Sequence, residues 1–172
     1  VPKIIICEAS RMRVLATIEG AHERGVVQLA FSPDGKTLAS IGLDNENSLA
    51  LHNWRSGTLL AKVRTGGDKV FGLIFKPQTG QEKSRVNRSS HGARKRDEGR
   101  GSRKQGNFCL ITCGHKHLTF WQRPTDKTLK DSSARFGKRL AGSVSIVDVC
   151  FDAAGRTIAA TSKGHLCVWL ET

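Results

Sequence analysis

Four residues with metal-ligand chemistry fall within nine positions of the sequence, in the pattern C-x3-C-x-H-x-H. They are Cys109, Cys113, His115 and His117. Zinc prefers thiolates and imidazoles in structural sites. On one strand the four side chains would share a face, because side chains alternate with a period of two. They would then span about 26 Å at roughly 3.3 Å per residue, too far for one ion. We therefore expect no metal site here.

The sequence also contains the residue types of a hydrolase triad. A serine, a histidine and an aspartate supply a nucleophile, a base and an orienting carboxylate, and His22, Ser40 and Asp44 lie close in sequence. No oxyanion turn accompanies them, which argues against a hydrolase. The alternative is a buried hydrogen-bond network that also includes Trp54, with Asp44 orienting His22. No Walker loop or dinucleotide fingerprint is present, so we expect no cofactor and no enzymatic activity.

The five cysteines are odd in number and contain no CxxC pair. This usage argues against a secreted disulfide framework and favours a reducing, cytoplasmic compartment. We expect Cys113, Cys150 and Cys167 to be small core residues. The apolar run at residues 4–6 is too short for a signal peptide, and no run reaches the roughly 20 residues of a membrane helix. The first residue is Val1, so we expect a fragment of a longer protein.

Much of the net charge of +13 belongs to one segment. Residues 83–105 hold nine basic and two acidic residues, and residues 78–106 lack periodicity and almost all apolar content. Such a composition predicts a disordered loop. Its polycation would attract an acidic polymer, although a solvated loop without a partner is the alternative. A nucleic acid is the less favoured polymer, because no aromatic residue lies between 78 and 107. The candidate binding residues are Arg85, Arg88, Arg94, Lys95, Arg96, Arg100, Arg103 and Lys104.

The elements that must position these residues are short strands. Residues 26–54 read as a strand (VVQLAF), an SPDG turn, a second strand, a polar turn and a third strand ending in Trp54. In the first turn Pro33 presets φ, and Asp34-Gly35 tolerates left-handed conformations. Residues 58–64 supply a fourth strand. Four strands with these turns are typical of one blade of a β-propeller.

The pattern recurs along the chain. VFGLIF at 70–75 matches VVQLAF, and FCLITCGHKHLTFW resumes the second unit after the basic segment. SIVDVCF, TIAAT and HLCVWL form a third unit, and Trp54, Trp121 and Trp169 hold the same place in the three units by this alignment. We therefore predict an all-β, partial propeller. It comprises the end of a preceding blade (1–20), one blade (21–66), a second blade interrupted by the insert 78–106 (67–142), and most of a third (143–172).

Repeats that each end in Trp resemble WD-repeat blades in which the Trp-Asp signature is degraded. The chain is similar to the echinoderm microtubule-associated protein-like family over nearly all of its length except 78–106. The matching stretches are PKIIICEA (2–9), HERGVVQLAFS (22–32), the Asn45-Glu46 turn before LALHNW, ITCGHKHLTFW (111–121), and RFGK (135–138). The stretch from Thr112 to Trp121, with His117 before an aromatic-Trp pair, is the most specific of these.

The resemblance implies a non-catalytic propeller, part of the first of two fused rings, that contacts tubulin or microtubules in the cytoskeleton. The residues expected to have a structural role in the blades are Trp54, Trp121, Trp169, His22, Ser40, Asp44 and His117. The alternative is a general WD-repeat scaffold that binds other proteins through its rim and does not bind microtubules. RNA binding through the insert is a third reading, and no membrane association is expected.

Overall fold

The computed structural model describes residues 1–66, 69–77, 109–122, 128–134 and 144–169. These residues form thirteen strands and no helix. The strands are β1 (Lys3–Glu8), β2 (Arg13–Glu19), β3 (Val26–Phe31), β4 (Thr37–Gly42), β5 (Ser48–Asn53), β6 (Thr58–Arg64), β7 (Val70–Phe75), β8 (Cys109–Gly114), β9 (His117–Gln122), β10 (Lys130–Ser133), β11 (Ile146–Phe151), β12 (Thr157–Thr161) and β13 (Leu166–Trp169).

The strands make four antiparallel sheets in chain order, which we call blades. Blade 1 is β1-β2, blade 2 is β3-β4-β5-β6, blade 3 is β7-β8-β9-β10 and blade 4 is β11-β12-β13. Within each sheet, every strand pairs with its sequence neighbour, so blades 2, 3 and 4 are meanders. The connections within blade 2 are short, whereas the β7-β8 connection of blade 3 runs from Phe75 to Cys109.

The SPDG turn between β3 and β4 forms as its residue types predict. Gly35 has a φ of 65°, where a side chain would be strained, and its N–H donates to the carbonyl of Ser32 at 2.8 Å. The hydroxyl of Ser32 donates to Asp34 at 2.6 Å and accepts the N–H of Thr37 at 2.9 Å. These bonds close the turn and fix the register of β3 against β4.

Three apolar clusters hold neighbouring blades face to face. Blade 1 packs Ile4 and Ile18 on Leu38 and Trp54 of blade 2. The opposite face of blade 2 packs on blade 3 through residues that include Ile41, Leu49, Leu51, Leu73, Phe75 and Leu110. Blade 3 then packs its other face on blade 4 through residues that include Ile111, Leu118, Ile146 and Ala159. Successive residues of a central strand therefore serve different clusters, which explains why every residue of β4 is buried.

Face-to-face stacking of meander sheets in chain order is the blade arrangement of a β-propeller. The first strands of successive blades lie side by side, and the Gln28 side chain of β3 donates to the carbonyl of Phe71 in β7 at 2.7 Å. The prediction of an all-β, partial propeller is confirmed.

The connections fall at two ends of the blades because the strands alternate in direction. The β3-β4, β5-β6, β7-β8 and β11-β12 connections lie at one end, which we call the hairpin end. The β4-β5, β8-β9 and β12-β13 turns lie at the other end, where the chain also crosses from blade to blade; we call it the crossover end. The predicted insert 78–106 lies outside the described residues, and the strands that flank it place its attachment at the hairpin end.

Within the described residues there is no helix of the length and apolarity that crossing a membrane requires.

Candidate functional site

A chain of hydrogen bonds runs through the crossover end of blade 2. The buried ring of His22 contacts the Ser40 hydroxyl through Nε2 at 2.8 Å and the Ser48 hydroxyl through Nδ1 at 2.9 Å. The Ser48 hydroxyl also contacts Asp44 Oδ2, and the Ser48 backbone N–H donates to Asp44 Oδ1 at 2.7 Å. One neutral tautomer satisfies every group: Ser48 donates to Asp44, Nδ1–H donates to Ser48, and Ser40 donates to Nε2.

The electrostatics agree with a neutral imidazole. Burial lowers the pKa of His22 below its ordinary value, although the carboxylate of Asp44 opposes this. Desolvation alone would raise the pKa of Asp44, but the two hydrogen bonds from Ser48 outweigh it and leave the pKa lowered. The site therefore holds a carboxylate and an uncharged ring joined through a serine.

Gly42 makes room for this arrangement. A Cβ atom at Gly42 would overlap the His22 ring and lie 3.0 Å from Asp44 Oδ2. The loop before β3 can therefore lay His22 directly against the end of β4 only because this position has no side chain.

The structure differs from the expected network at two points. Asp44 reaches His22 through Ser48, a residue that the sequence analysis missed. The available signal was the position of Ser48 at the start of a strand, four residues after Asp44. Trp54 takes no part: its indole N–H donates to the carbonyl of Gly35 at 2.8 Å, at the hairpin end. There the Trp54 ring packs edge-on to Phe31 and lies 4.4 Å from the Arg55 guanidinium.

Blade 3 has a smaller network with a tryptophan in it. The indole N–H of Trp121 donates to the Thr112 hydroxyl at 2.8 Å, and that hydroxyl lies 2.7 Å from Nε2 of His117. Thr112 is fully buried and so links β8 to two residues of β9. The Thr112 hydroxyl therefore joins His117 to Trp121 within blade 3.

The strand register corrects the alignment of the three tryptophans. In blades 2, 3 and 4, the last residue of the first strand pairs with Leu38, Leu110 and Thr157 respectively. Those residues pair in turn with His52, Trp121 and Trp169 of the third strand. Trp121 and Trp169 are thus equivalent, whereas Trp54 lies two residues beyond the equivalent position, which His52 occupies.

His52 is buried, with 2% of its surface exposed, and its Nδ1 atom has no hydrogen-bond partner. Burial lowers its pKa, and the nearby Lys62 ammonium lowers it further. The His52 ring is therefore uncharged, and its Nδ1 atom lacks a hydrogen bond.

The four cysteine and histidine residues considered as metal ligands do not lie on one strand. The chain turns at His115 and Lys116, so Cys113 lies on β8 and His117 on β9. The two histidine rings bond elsewhere, His115 to Ser145 at 3.0 Å and His117 to Thr112. No group of three potential metal ligands occurs in the described part of the chain.

Of the three cysteines expected in the core, one is buried, one is half-buried and one lies on the surface. Cys113 is buried, Cys167 is half-buried, and Cys150 is exposed. Burial raises the pKa of the Cys113 thiol to about 11, with the Asp148 carboxylate adding to the effect. Cys113 is therefore an unreactive thiol packed between blades 3 and 4.

These networks do not form a reactive centre open to substrate. Ser40 has no exposed surface, so its hydroxyl, although it touches a histidine, is closed to any substrate. Next to the blade 2 network is an open groove of about 470 Å³ lined by both acidic and basic side chains, among them Glu23, Arg24 and Lys62. The hydrogen bonds hold the β4-β5 turn in place, and the groove beside them presents charges of both signs.

The basic residues predicted to bind an acidic polymer, Arg85 to Lys104, lie outside the described residues, and their role stays a prediction.

The WD domain, G-beta repeat family (WD40) matches residues 12–46, a stretch that includes His22, Ser40 and Asp44. The Cps50 (Swd1) β-propeller domain of Myceliophteria thermophila superposes on 96% of this chain with a TM-score of 0.62 at 15% identity, and this chain covers 44% of that structure. A chain of the mitotic checkpoint complex superposes on 97% with a TM-score of 0.61 at 16% identity, with 42% of that chain covered. The fold of this chain is that of a WD-repeat β-propeller.

Longer relatives align along nearly the whole chain. Cilia- and flagella-associated protein 44 of Chlamydomonas reinhardtii is 25% identical over 98% of this chain. Echinoderm microtubule-associated protein-like 4 of Xenopus laevis is 25% identical over 99%. This chain spans only 8% and 16%, respectively, of the length of those relatives. The resemblance to echinoderm microtubule-associated protein-like proteins, stated above from sequence motifs, is thus supported at low identity, alongside ciliary WD-repeat proteins.

Proposed function

We propose that this WD-repeat propeller is the non-catalytic binding platform of a microtubule-associated protein and contacts tubulin through its surface loops. The observation that carries the proposal is the extent of the similarity. Relatives named as microtubule-associated or as cilia- and flagella-associated align over 98% to 99% of the chain, well beyond the single repeat at 12–46.

The geometry supports a platform because its polar networks serve the fold. The hydroxyls of Ser40, Ser48 and Thr112 are buried and hydrogen-bonded. The charged side chains instead lie on the surface, around the groove at blade 2 and on the turns of blades 3 and 4. Such a surface is suited to binding a partner by complementarity of charge and shape.

A general WD-repeat scaffold for another protein partner is the second candidate. WD repeat-containing protein 90 of Homo sapiens is 26% identical over 86% of this chain, and its name specifies only the repeat. Under this reading the propeller rim binds a protein that is not tubulin. Both candidates place the protein in the cytoplasm, and the first places it on the cytoskeleton.

Co-pelleting with microtubules tests the proposal. The full-length protein and a version without residues 80–105 are centrifuged with microtubules at low and at physiological salt. We expect both forms to pellet at physiological salt. Pelleting of the insert-containing form alone, and only at low salt, indicates a polycation effect and contradicts the proposal. If neither form pellets, the scaffold function replaces it.

A further inference from the structure

Three lysines that form no ion pair with another described residue lie at the crossover end of blades 3 and 4. Lys69 precedes β7, Lys116 lies in the β8-β9 turn and Lys163 lies in the β12-β13 turn, and all three are exposed. The ion pairs among the described residues involve other cations, on Lys3, Arg13, Lys36, Arg64 and Arg156. The charge of these three ammonium groups is therefore available to a partner.

Backbone hydrogen bonds join the segments that carry the lysines. The N–H of His115 donates to the carbonyl of Lys69 at 2.9 Å, and the N–H of Lys116 donates to Val144 at 3.0 Å. On the other side, Ser145 accepts the N–H of Ser162 at 2.8 Å, next to Lys163. The three lysines are thus displayed on one hydrogen-bonded ridge, which we call the lysine rim.

Lys116 is placed by an uncommon conformation. Its φ of 50° lies in the left-handed region, and the residue before it, His115, is tied by its ring to Ser145 at 3.0 Å. The turn that presents Lys116 is therefore pinned to blades 3 and 4 together. A pre-ordered cation loses less entropy on binding than one on a free loop.

The described acidic groups near the lysine rim form no ion pair with its three lysines. At the crossover end of blade 2, Asp44 accepts a hydrogen bond from the Ser48 hydroxyl, and Glu46 forms an ion pair with Arg64. Asp148 of β11 faces the Cys113 thiol and accepts the N–H of Val149 at 2.8 Å. The β6-β7 connection also contains Asp68, which lies outside the described residues.

We propose that the lysine rim, Lys69, Lys116 and Lys163, binds an acidic polypeptide segment of the partner. Three exposed ammonium groups on one ridge are complementary in charge to a run of glutamate carboxylates. A nucleic acid is disfavoured because the described residues of these turns include no Phe or Trp on which bases could stack. The inference rests on the proposed function only in taking a protein as the partner.

The lysine rim is separate from the basic insert. The insert is attached at the hairpin end, between β7 and β8, whereas the lysine rim lies at the crossover end of the same strands. Removing the insert therefore leaves the lysine rim in place, and the two sources of positive charge are tested one at a time.

The test measures binding of a fluorescent decaglutamate peptide to the full chain without residues 80–105, by anisotropy at low ionic strength. One variant carries Lys69→Gln, Lys116→Gln and Lys163→Gln. The matched control carries Lys3→Gln, Lys36→Gln and Lys130→Gln, which remove the same charge elsewhere. We expect the first variant to lose about tenfold in affinity and the control less than about twofold, as for three exposed ion pairs. Thermal unfolding of both variants checks that each one folds.

Equal losses in the two variants overturn the inference, because only net charge would then matter. Preferential displacement of the peptide by an oligouridylate of the same length also overturns it, since the site would then favour a nucleic acid. The proposed function can fail independently of this site. If the protein binds decaglutamate through the lysine rim but does not pellet with microtubules, the site stands and tubulin is not the partner. If the protein pellets with microtubules but both lysine variants lose decaglutamate affinity equally, the proposed function stands and the lysine-rim site does not.

Discussion

His52 in blade 2 occupies the strand position that Trp121 holds in blade 3. His52 pairs with Leu38 and Trp121 pairs with Leu110, and both partners lie opposite the last residue of the preceding strand. In blade 3 the indole donates to Thr112, whereas His52 leaves its Nδ1 atom without a partner in a buried position. Blade 2 therefore carries a polar defect at the point where blade 3 has a satisfied hydrogen bond.

Replacing His52 by leucine should stabilise the protein. The substitution removes a buried, unpartnered ring nitrogen and keeps an apolar group of similar size in the core, so we expect the free energy of unfolding to rise by about 1 kcal/mol. Urea denaturation measures the change. His165→Gln, at an exposed position, is the control and should be neutral. A clear loss of stability in His52→Leu would show that the imidazole makes a favourable contact.

The stability of the protein should fall with acid because of two histidines. Burial lowers the pKa of His22 and of His52 below their ordinary value of 6.5, so the unfolded chain binds more protons than the folded one as pH falls. The stabilisation is complete well above pH 6.5 and is lost as pH falls through 6.5 towards the folded pKa values. The free energy of unfolding measured from pH 8 to pH 5 tests this.

The His52→Leu variant separates the two histidines in that titration. It should reduce the slope of stability against pH below about 6.5 but not abolish it, since His22 remains. A slope identical to that of the parent protein would contradict a neutral, buried His52.

Replacing Ser48 by alanine should destabilise blade 2. The change removes the hydroxyl that joins His22 Nδ1 to the Asp44 carboxylate and leaves a buried N–H without its acceptor. We expect a loss of about 1–3 kcal/mol in the free energy of unfolding. Ser56→Ala in an exposed turn removes a hydroxyl of the same kind and should cost less than about 0.5 kcal/mol. Equal effects would mean that the network contributes nothing beyond an ordinary surface hydroxyl.

A methyl group at Gly114 should be poorly tolerated. A Cβ atom there would overlap the carbonyl oxygen of Lys69 and lie 2.9 Å from the Cα atom of Val70. Because backbone atoms cannot move aside cheaply, Gly114→Ala should cost about 3 kcal/mol or more. Gly25→Ala is the control, since its Cβ would meet only Leu43 at an ordinary 3.6 Å. Thermal denaturation of the two variants should therefore differ widely.

The cysteines should differ in their rates of alkylation. Cys7 and Cys150 are exposed, whereas Cys113 is buried and its thiol pKa is raised to about 11, so its reactive thiolate is scarce. Iodoacetamide at pH 8 followed by peptide mass analysis should label Cys7 and Cys150 first. Rapid labelling of Cys113 in the folded protein would contradict its packing between blades 3 and 4.

The sequence predicted the strands well because their signals are local. Alternation in VVQLAF and the SPDG turn specify β3 and β4 without reference to any distant residue, and β6 begins and ends where its pattern indicated. The equivalence of the tryptophans failed for a physical reason. Trp54 lies just beyond the end of β5, whereas Trp121 lies within β9, so an alignment anchored on the tryptophans is displaced relative to the sheet register.

The site was less predictable because its bonds cross between distant segments. The resemblance to WD-repeat blades pointed to His22, Ser40 and Asp44, but the position of Ser48 between His22 and Asp44 depends on how the β4-β5 turn places the start of β5. The lysine rim could not be predicted from the sequence for the same reason. Lys69, Lys116 and Lys163 are far apart in sequence, and only the hydrogen bonds among three connections bring them to one ridge.

The hydrogen bond from the Lys76 N–H to the carbonyl of Cys109, 2.8 Å long, closes the hairpin across the long β7-β8 connection. The two ends of the β7-β8 connection therefore lie next to each other, and Phe75 pairs with Leu110 at the adjoining ends of the two strands. Because loop-closure entropy grows only with the logarithm of length, the connection at this junction can change in length without disturbing the stacked blades. The same junction offers experimenters a position for a reporter domain.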